Sequence, residues 1–207
     1  MNIAIIGAGN VGQTLAGGWA ANGHSVSFGV RNPDSPKAAA VDRAKFRVLA
    51  NAQAVAGADA VVLATPWPAT RDAIGACGSL AGKIVLDATN PLLPNLGGLE
   101  IGHTNSGGET VAQWAAGARV VKIFNTTGFN NMSNPAYGNE RASMLYCGDD
   151  AQAKATAAAL ASDLGFDPVD CGPLVHSRYL ENIGMMWIWL AVKGGAGRDI
   201  AWKLLRR

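Results

Sequence analysis

The residues with the clearest chemistry are Gly7-Ala8-Gly9-Asn10-Val11-Gly12, a Gly-x-Gly-x-x-Gly pattern directly after the apolar run Ile3 to Ile6. Alone the pattern is weak, but between a buried strand and a helix it becomes a specific signature for binding a dinucleotide pyrophosphate. Gly7 permits the tight turn, Gly9 removes the Cβ that would block the phosphates, and Gly12 lets the helix approach the strand. Asn10 and Val11 open that helix, whose backbone N–H groups and dipole face the anion. A glycine-rich turn with no ligand is the bland alternative, and the strand-to-helix context argues against it.

The end of the second apolar run separates two cofactors. An NAD site usually carries Asp or Glu there, to accept from the ribose 2′-OH. This chain has no acidic residue before Asp34 and reads Phe28-Gly29-Val30-Arg31-Asn32 instead. A guanidinium at that point can fork onto a 2′-phosphate or stack on adenine. The pattern therefore predicts NADP(H), with Arg31 and Asn32 at the phosphorylated ribose and Lys37, at the start of the next helix, as a second cation. A solvated turn position is the competing role for both basic residues.

Two further strand ends could serve the other half of the cofactor. Thr65-Pro66-Trp67 and Thr89-Asn90-Pro91 place a hydroxyl and an amide where a nicotinamide ribose and carboxamide could be held, although Thr and Asn before Pro are also common turn formers. His103, in the loop Gly102 to Asn105, is the proton-donor candidate; His24 and His176 read as structural. Asp149 and Asp150 are accounted for as caps of an alanine-rich helix, and no metal-ligand set is expected.

The elements that must position these residues follow from periodicity. Strand-length runs at Asn2–Ile6, Ser25–Val30, Ala60–Ala64, Ile84–Asp87 and Arg119–Ile123 alternate with helical stretches at Val11–Asn22, near Asp34, after Pro68 and from Ser106. This predicts an α/β Rossmann fold, a doubly wound parallel sheet, over residues 1–124. The Asn-, Gly- and Pro-rich stretch from Asn125 marks a seam. Beyond it residues 125–207 form a small C-terminal α/β appendage, with strands at Ser143–Cys147 and Pro168–Asp170, a helix from Asp150 to Leu164 and a last helix from Ser177. That appendage either stands apart or continues the main sheet.

Composition limits the partners. Seventeen basic and fifteen acidic residues in 207, without a basic block, argue against nucleic acid. Three scattered cysteines suggest reduced thiols in a cytoplasmic protein. No signal leader is read at Met1, and the apolar run Ile183–Val192 is too short to span a bilayer, so no membrane role is expected. Met185, Met186, Trp187 and Trp189 suit either a ring-facing wall or the seam of a homodimer.

Taken together, Gly7 to Gly12, Gly29 to Pro33, Thr65 to Trp67, Asp87 to Pro91, Val121 to Thr126, Cys147 to Asp150 and Asp170 to Leu174 resemble the small NADP oxidoreductases typified by coenzyme F420-dependent NADP reductase. The cytoplasmic domains of STEAP-type metalloreductases are also similar. The resemblance implies hydride transfer between NADPH and a flavin or deazaflavin (F420-type) acceptor. Asn125 stands where the deazaflavin reductases carry His, and the resemblance groups it with Thr65 to Trp67 and Asn90 among the cofactor-binding residues. An NADP(H)-binding redox sensor without turnover and a small imine or carbonyl reductase are the alternative functions.

Overall fold

Short, mostly apolar strands lack a polar face to give to water, so helices must cover both sides of their sheet. The structure, a computed structural model, describes residues 1–207 except for the Lys37 side chain, and it has this layered form. The strands are β1 (Asn2–Ile6), β2 (Ser25–Val30), β3 (Arg47–Ala50), β4 (Ala60–Leu63), β5 (Ile84–Asp87) and β6 (Arg119–Lys122), then β7 (Ala136–Tyr137), β8 (Glu140–Arg141), β9 (Ser143–Gly148) and β10 (Asp167–Asp170). The helices are α1 (Asn10–Ala21), α2 (Pro36–Ala39), α3 (Asn51–Ala56), α4 (Trp67–Gly75), α5 (Gly107–Trp114), α6 (Phe129–Ser133), α7 (Ala151–Asp163) and α8 (Ser177–Val192).

Eight strands form one sheet in the order β10-β9-β6-β5-β4-β1-β2-β3, and β7 and β8 make a separate hairpin. Strands β1 to β6 are parallel, with the doubly wound order 3-2-1-4-5-6. The sheet continues past residue 124, because β9 pairs antiparallel with β6 at Lys122–Cys147 and carries β10 parallel to itself. Strand β3 and helix α3 extend what periodicity predicted. Arg47–Ala50 is a half-buried edge strand bonded only to β2, and its short apolar stretch is a weak signal.

Alternate residues of each strand feed two apolar cores, Ile3 and Ile5 with Trp19 and Phe28 on one face, Ala4 and Ile6 with Val61 and Leu63 on the other. Ser106 and Asp150 cap helices where the sequence places caps, whereas Asp149 accepts from the Leu174 N–H instead. Ser106 Oγ accepts from the Glu109 N–H and donates to the Glu109 carboxylate, and the Asp150 carboxylate accepts from the Ala153 N–H. Helix α8 buries Leu180, Glu181, Gly184 and Trp187 and exposes Tyr179, Met186, Trp189 and Val192. Among the described residues, no helix is long and apolar enough to cross a membrane.

Candidate dinucleotide and hydride-transfer site

The glycine turn is built by close contacts. Gly7 has φ +111°, and a Cβ there would stand 2.5 Å from the Ala64 carbonyl oxygen; a Cβ on Gly12 would stand 2.4 Å from the Gly7 carbonyl. Gly9 differs, since a Cβ would meet nothing within 4 Å. The space above Gly9 belongs to a cavity of about 610 Å³ lined by the glycine turn, Val30, Arg31, Asn32, Thr65 and Pro66, among others. Gly9 is also the N-cap of α1, where no side chain caps the helix and no acid occupies its first turn. A phosphate in this cradle would meet N–H donors at the positive end of a helix dipole. Asn10 lines the same cavity, whereas Val11 is half-buried and packs against the core.

Arg31 and Asn32 sit on the cavity rim where β2 ends. The Arg31 guanidinium reaches Asp72 on α4 at 3.6 Å, and both side chains are 76% exposed. Asn32 Oδ1 accepts from the Asp34 N–H, which shapes the turn into α2. The second predicted cation, the Lys37 side chain, lies outside the described residues.

From this end the cavity runs to Thr65 and Pro66 beyond β4. Thr65 Oγ1 is 2.9 Å from Thr70 Oγ1, whose hydroxyl donates to the Pro66 carbonyl and steadies the entry to α4. Trp67 departs from the expectation. Its indole is buried and stacks on Trp114 with ring centroids 5.1 Å apart, because position N1 of α4 faces α5 and not the cavity. Farther along the row of strand ends, outside the lining of this cavity, Asn90 and Asn125 bond each other, and Asn125 Nδ2 also donates to the Leu180 carbonyl on α8. Asn125 Oδ1 and Thr126 Oγ1 are buried without a hydrogen-bond partner among the described residues. His103 does not join this group. It is exposed on a turn at φ +59° and is not a lining residue of the cavity, so the loop presents its ring to solvent.

Sequence reasoning missed a buried charge cluster beneath Asn90 and Asn125. Lys122, the last residue of β6, lies 2.7 Å from the Asp87 carboxylate at the end of β5 and 2.9 Å from Glu181 of α8, and all three side chains are at most 1% exposed. The third ammonium proton goes to the Thr89 carbonyl. Burial alone would lower the Lys122 pKa, but the Asp87 and then the Glu181 carboxylate hold it above the ordinary lysine value. Glu181 also accepts from the N–H groups of Gly107 and Gly108 at the start of α5, and Asp87 accepts from the Thr89 N–H and hydroxyl. The available signal was an ionisable residue ending each of two apolar strands and a Glu within an apolar helix.

Comparison with known proteins places the chain among NADP-dependent oxidoreductases. The profile of the family described as NADP oxidoreductase, coenzyme F420-dependent, matches residues 2–91. A solved structure described as a candidate F420-dependent NADP reductase from Arthrobacter sp. FB24 is 34% identical, with 100% of each chain covered and a TM-score of 0.91. The F420-dependent NADP reductase of Methanothermobacter marburgensis is 29% identical over 210 residues, covering 93% of each chain. Metalloreductase STEAP3 of Rattus norvegicus is 30% identical over 182 residues, which are 87% of this chain and 36% of that one. The chain thus spans about a third of the metalloreductase and nearly the whole of the methanogen reductase.

Proposed function

The chain belongs to the coenzyme F420-dependent NADP oxidoreductase family, and from that premise we propose that it moves hydride between NADPH and a flavin or a deazaflavin of the F420 type. The observation that carries this reading is the cavity joining an uncapped glycine turn to an arginine at the end of β2, where an NAD site would have an acid. Gly7, Gly9, Asn10 and Gly12 hold the pyrophosphate in this reading, with Arg31 and Asn32 at the 2′-phosphate. Thr65, Pro66, Asn90 and Asn125 take the ribose and carboxamide of the nicotinamide. Trp67 acts only indirectly, as the packed base of α4.

The cofactor supplies the hydride chemistry, and the protein contributes orientation and a dry surface. Residues 125–207 complete the acceptor cleft. Helix α8 with its exposed Tyr179, Met186 and Trp189 forms the seam of a homodimer, and the setting is cytoplasmic. No proton donor is required of the protein for hydride transfer between two rings, which accords with the exposed position of His103.

Stopped-flow oxidation of NADPH against FMN, FAD, riboflavin, deazaflavin F420 and ferric chelates tests the proposal. Rapid oxidation by a flavin or deazaflavin is the expected result. NADPH binding without oxidation by any acceptor would instead make the protein an NADP(H)-binding sensor.

A further inference from the structure

The buried cluster of Lys122, Asp87 and Glu181 sets one positive charge against two negative ones, fully removed from water. Such a cluster is a poor stabilising device, because well-packed apolar residues of the same volume commonly serve as well or better. Its location suggests another use. Asp87 and Lys122 are the final residues of adjacent strands β5 and β6, and Asn90 and Asn125 each follow three positions later. In a doubly wound sheet the ligand lies across these carboxyl ends. A dinucleotide anchored at the β1 and β2 ends and passing Thr65 beyond β4 therefore brings its nicotinamide over β5 and β6, strands spaced about 4.8 Å apart.

The nicotinamide ring is a cation when oxidised and neutral when reduced. We infer that the net negative charge of the Asp87–Lys122–Glu181 cluster favours the cationic ring above it, so that the site binds NADP+ more tightly relative to NADPH and makes bound NADPH a stronger hydride donor. The positive end of α5 at Gly107 and Gly108 offsets about half a charge, which leaves the cluster anionic. Water cannot screen it, because all three side chains are buried. This inference rests on the NADP(H) reading of the cavity. Electron balance is that of the proposed reaction: two electrons and one proton leave the dihydronicotinamide as hydride and are taken up by the acceptor ring.

The test is a ratio of dissociation constants, measured by calorimetry for NADP+ and NADPH on the whole chain. Glu181→Gln and Asp87→Asn each remove one negative charge, and each should weaken NADP+ relative to NADPH on the order of fivefold. A tenfold change in that ratio would correspond to about 30 mV in the two-electron potential of the bound couple. A merely structural role would weaken both forms together and leave the ratio unmoved, which would overturn the inference.

Should both variants fail to fold, the unmodified protein still decides. There, adding the oxidised ring to 2′-phospho-ADP-ribose should improve affinity more than adding the dihydro ring does, and equal or reversed gains would overturn the inference. If neither NADP+ nor NADPH binds, the cofactor reading falls and takes this inference with it. Binding of both with an unmoved ratio removes this inference alone.

Discussion

Asn90 and Asn125 exchange two hydrogen bonds across the ends of neighbouring strands: Asn125 Nδ2 donates to Asn90 Oδ1 at 3.0 Å, and Asn90 Nδ2 donates to the Asn125 carbonyl at 2.8 Å. Helix α8 closes over the pair at Gly184, where a Cβ would stand 2.7 Å from the Asn125 carbonyl oxygen. Residues from both sides of position 124 thus meet in one small polar patch at the carboxyl edge of the sheet. Phe124, buried at φ +64° with its ring edge-on to Trp19, turns the chain out of the sheet immediately before Asn125.

Arg31→Ala should remove most of the preference for NADP+ over NAD+. The exposed pair with Asp72 contributes at most about 1 kcal/mol, whereas a charge-assisted contact to a 2′-phosphate is worth about 1.5 to 3 kcal/mol, so a bound 2′-phosphate should displace Asp72. The affinity for NADP+ should fall roughly tenfold or more while that for NAD+ stays nearly constant. Calorimetry with both nucleotides checks this, and equal affinities in the unmodified protein would remove the role of Arg31.

Gly9→Val should abolish cofactor binding and leave the melting temperature close to that of the unmodified protein. The Gly9 backbone is extended, and a Cβ there meets nothing of the protein. Gly7→Val should instead unfold or strongly destabilise the chain, because its φ is +111° and its Cβ would enter the Ala64 carbonyl. Near-normal NADPH affinity in a folded Gly9→Val variant would show that the phosphates bind elsewhere.

Trp67→Ala should act on stability before it acts on the acceptor. The buried indole stacked on Trp114 would leave a cavity costing about 3 to 5 kcal/mol. Trp67→Phe, which keeps an aromatic ring on Trp114, should retain most of the stability and the acceptor KM of the unmodified protein. A large rise in acceptor KM for this variant at unchanged melting temperature would show that Trp67 contacts the acceptor.

Glu109 supplies a pH signature. Hydrogen bonds from Arg178 at 2.8 and 2.7 Å lower its pKa against the opposing effect of burial, and Ser106 adds to the lowering. A carboxylate whose folded pKa is depressed contributes stability above its unfolded pKa, and that contribution disappears as pH falls through the folded value. Arg178→Ala should therefore reduce the urea midpoint at pH 7, and the gap between variant and unmodified protein should narrow as the solution is acidified below the ordinary carboxylate range. A gap independent of pH down to pH 3 would show that the pair adds nothing through its charge.

Much of the fold was legible because its signals are local. The apolar strands, the glycine turn and the caps at Ser106 and Asp150 depend on residues adjacent in sequence, and the absence of an acid before Asp34 could be read directly. The same reading carried the family resemblance. What it could not assign was the direction of a side chain at the start of a helix. Thr65 and Trp67 are two residues apart, yet one lines the cavity and the other is sealed against α5, a partner more than forty positions downstream.

By itself, then, the sequence determined an alternating α/β chain with a glycine-rich strand-turn-helix and a cationic second strand end, since each is a matter of residue type and short-range spacing. Only the tertiary structure decided that β9 joins β6, that His103 stays in solvent, and that Lys122 meets Asp87 and Glu181 in the interior. These outcomes depend on contacts between distant segments. A buried lysine is tolerable only where the fold brings carboxylates to it, and residues 87, 122 and 181 become neighbours only when sheet and α8 have closed together.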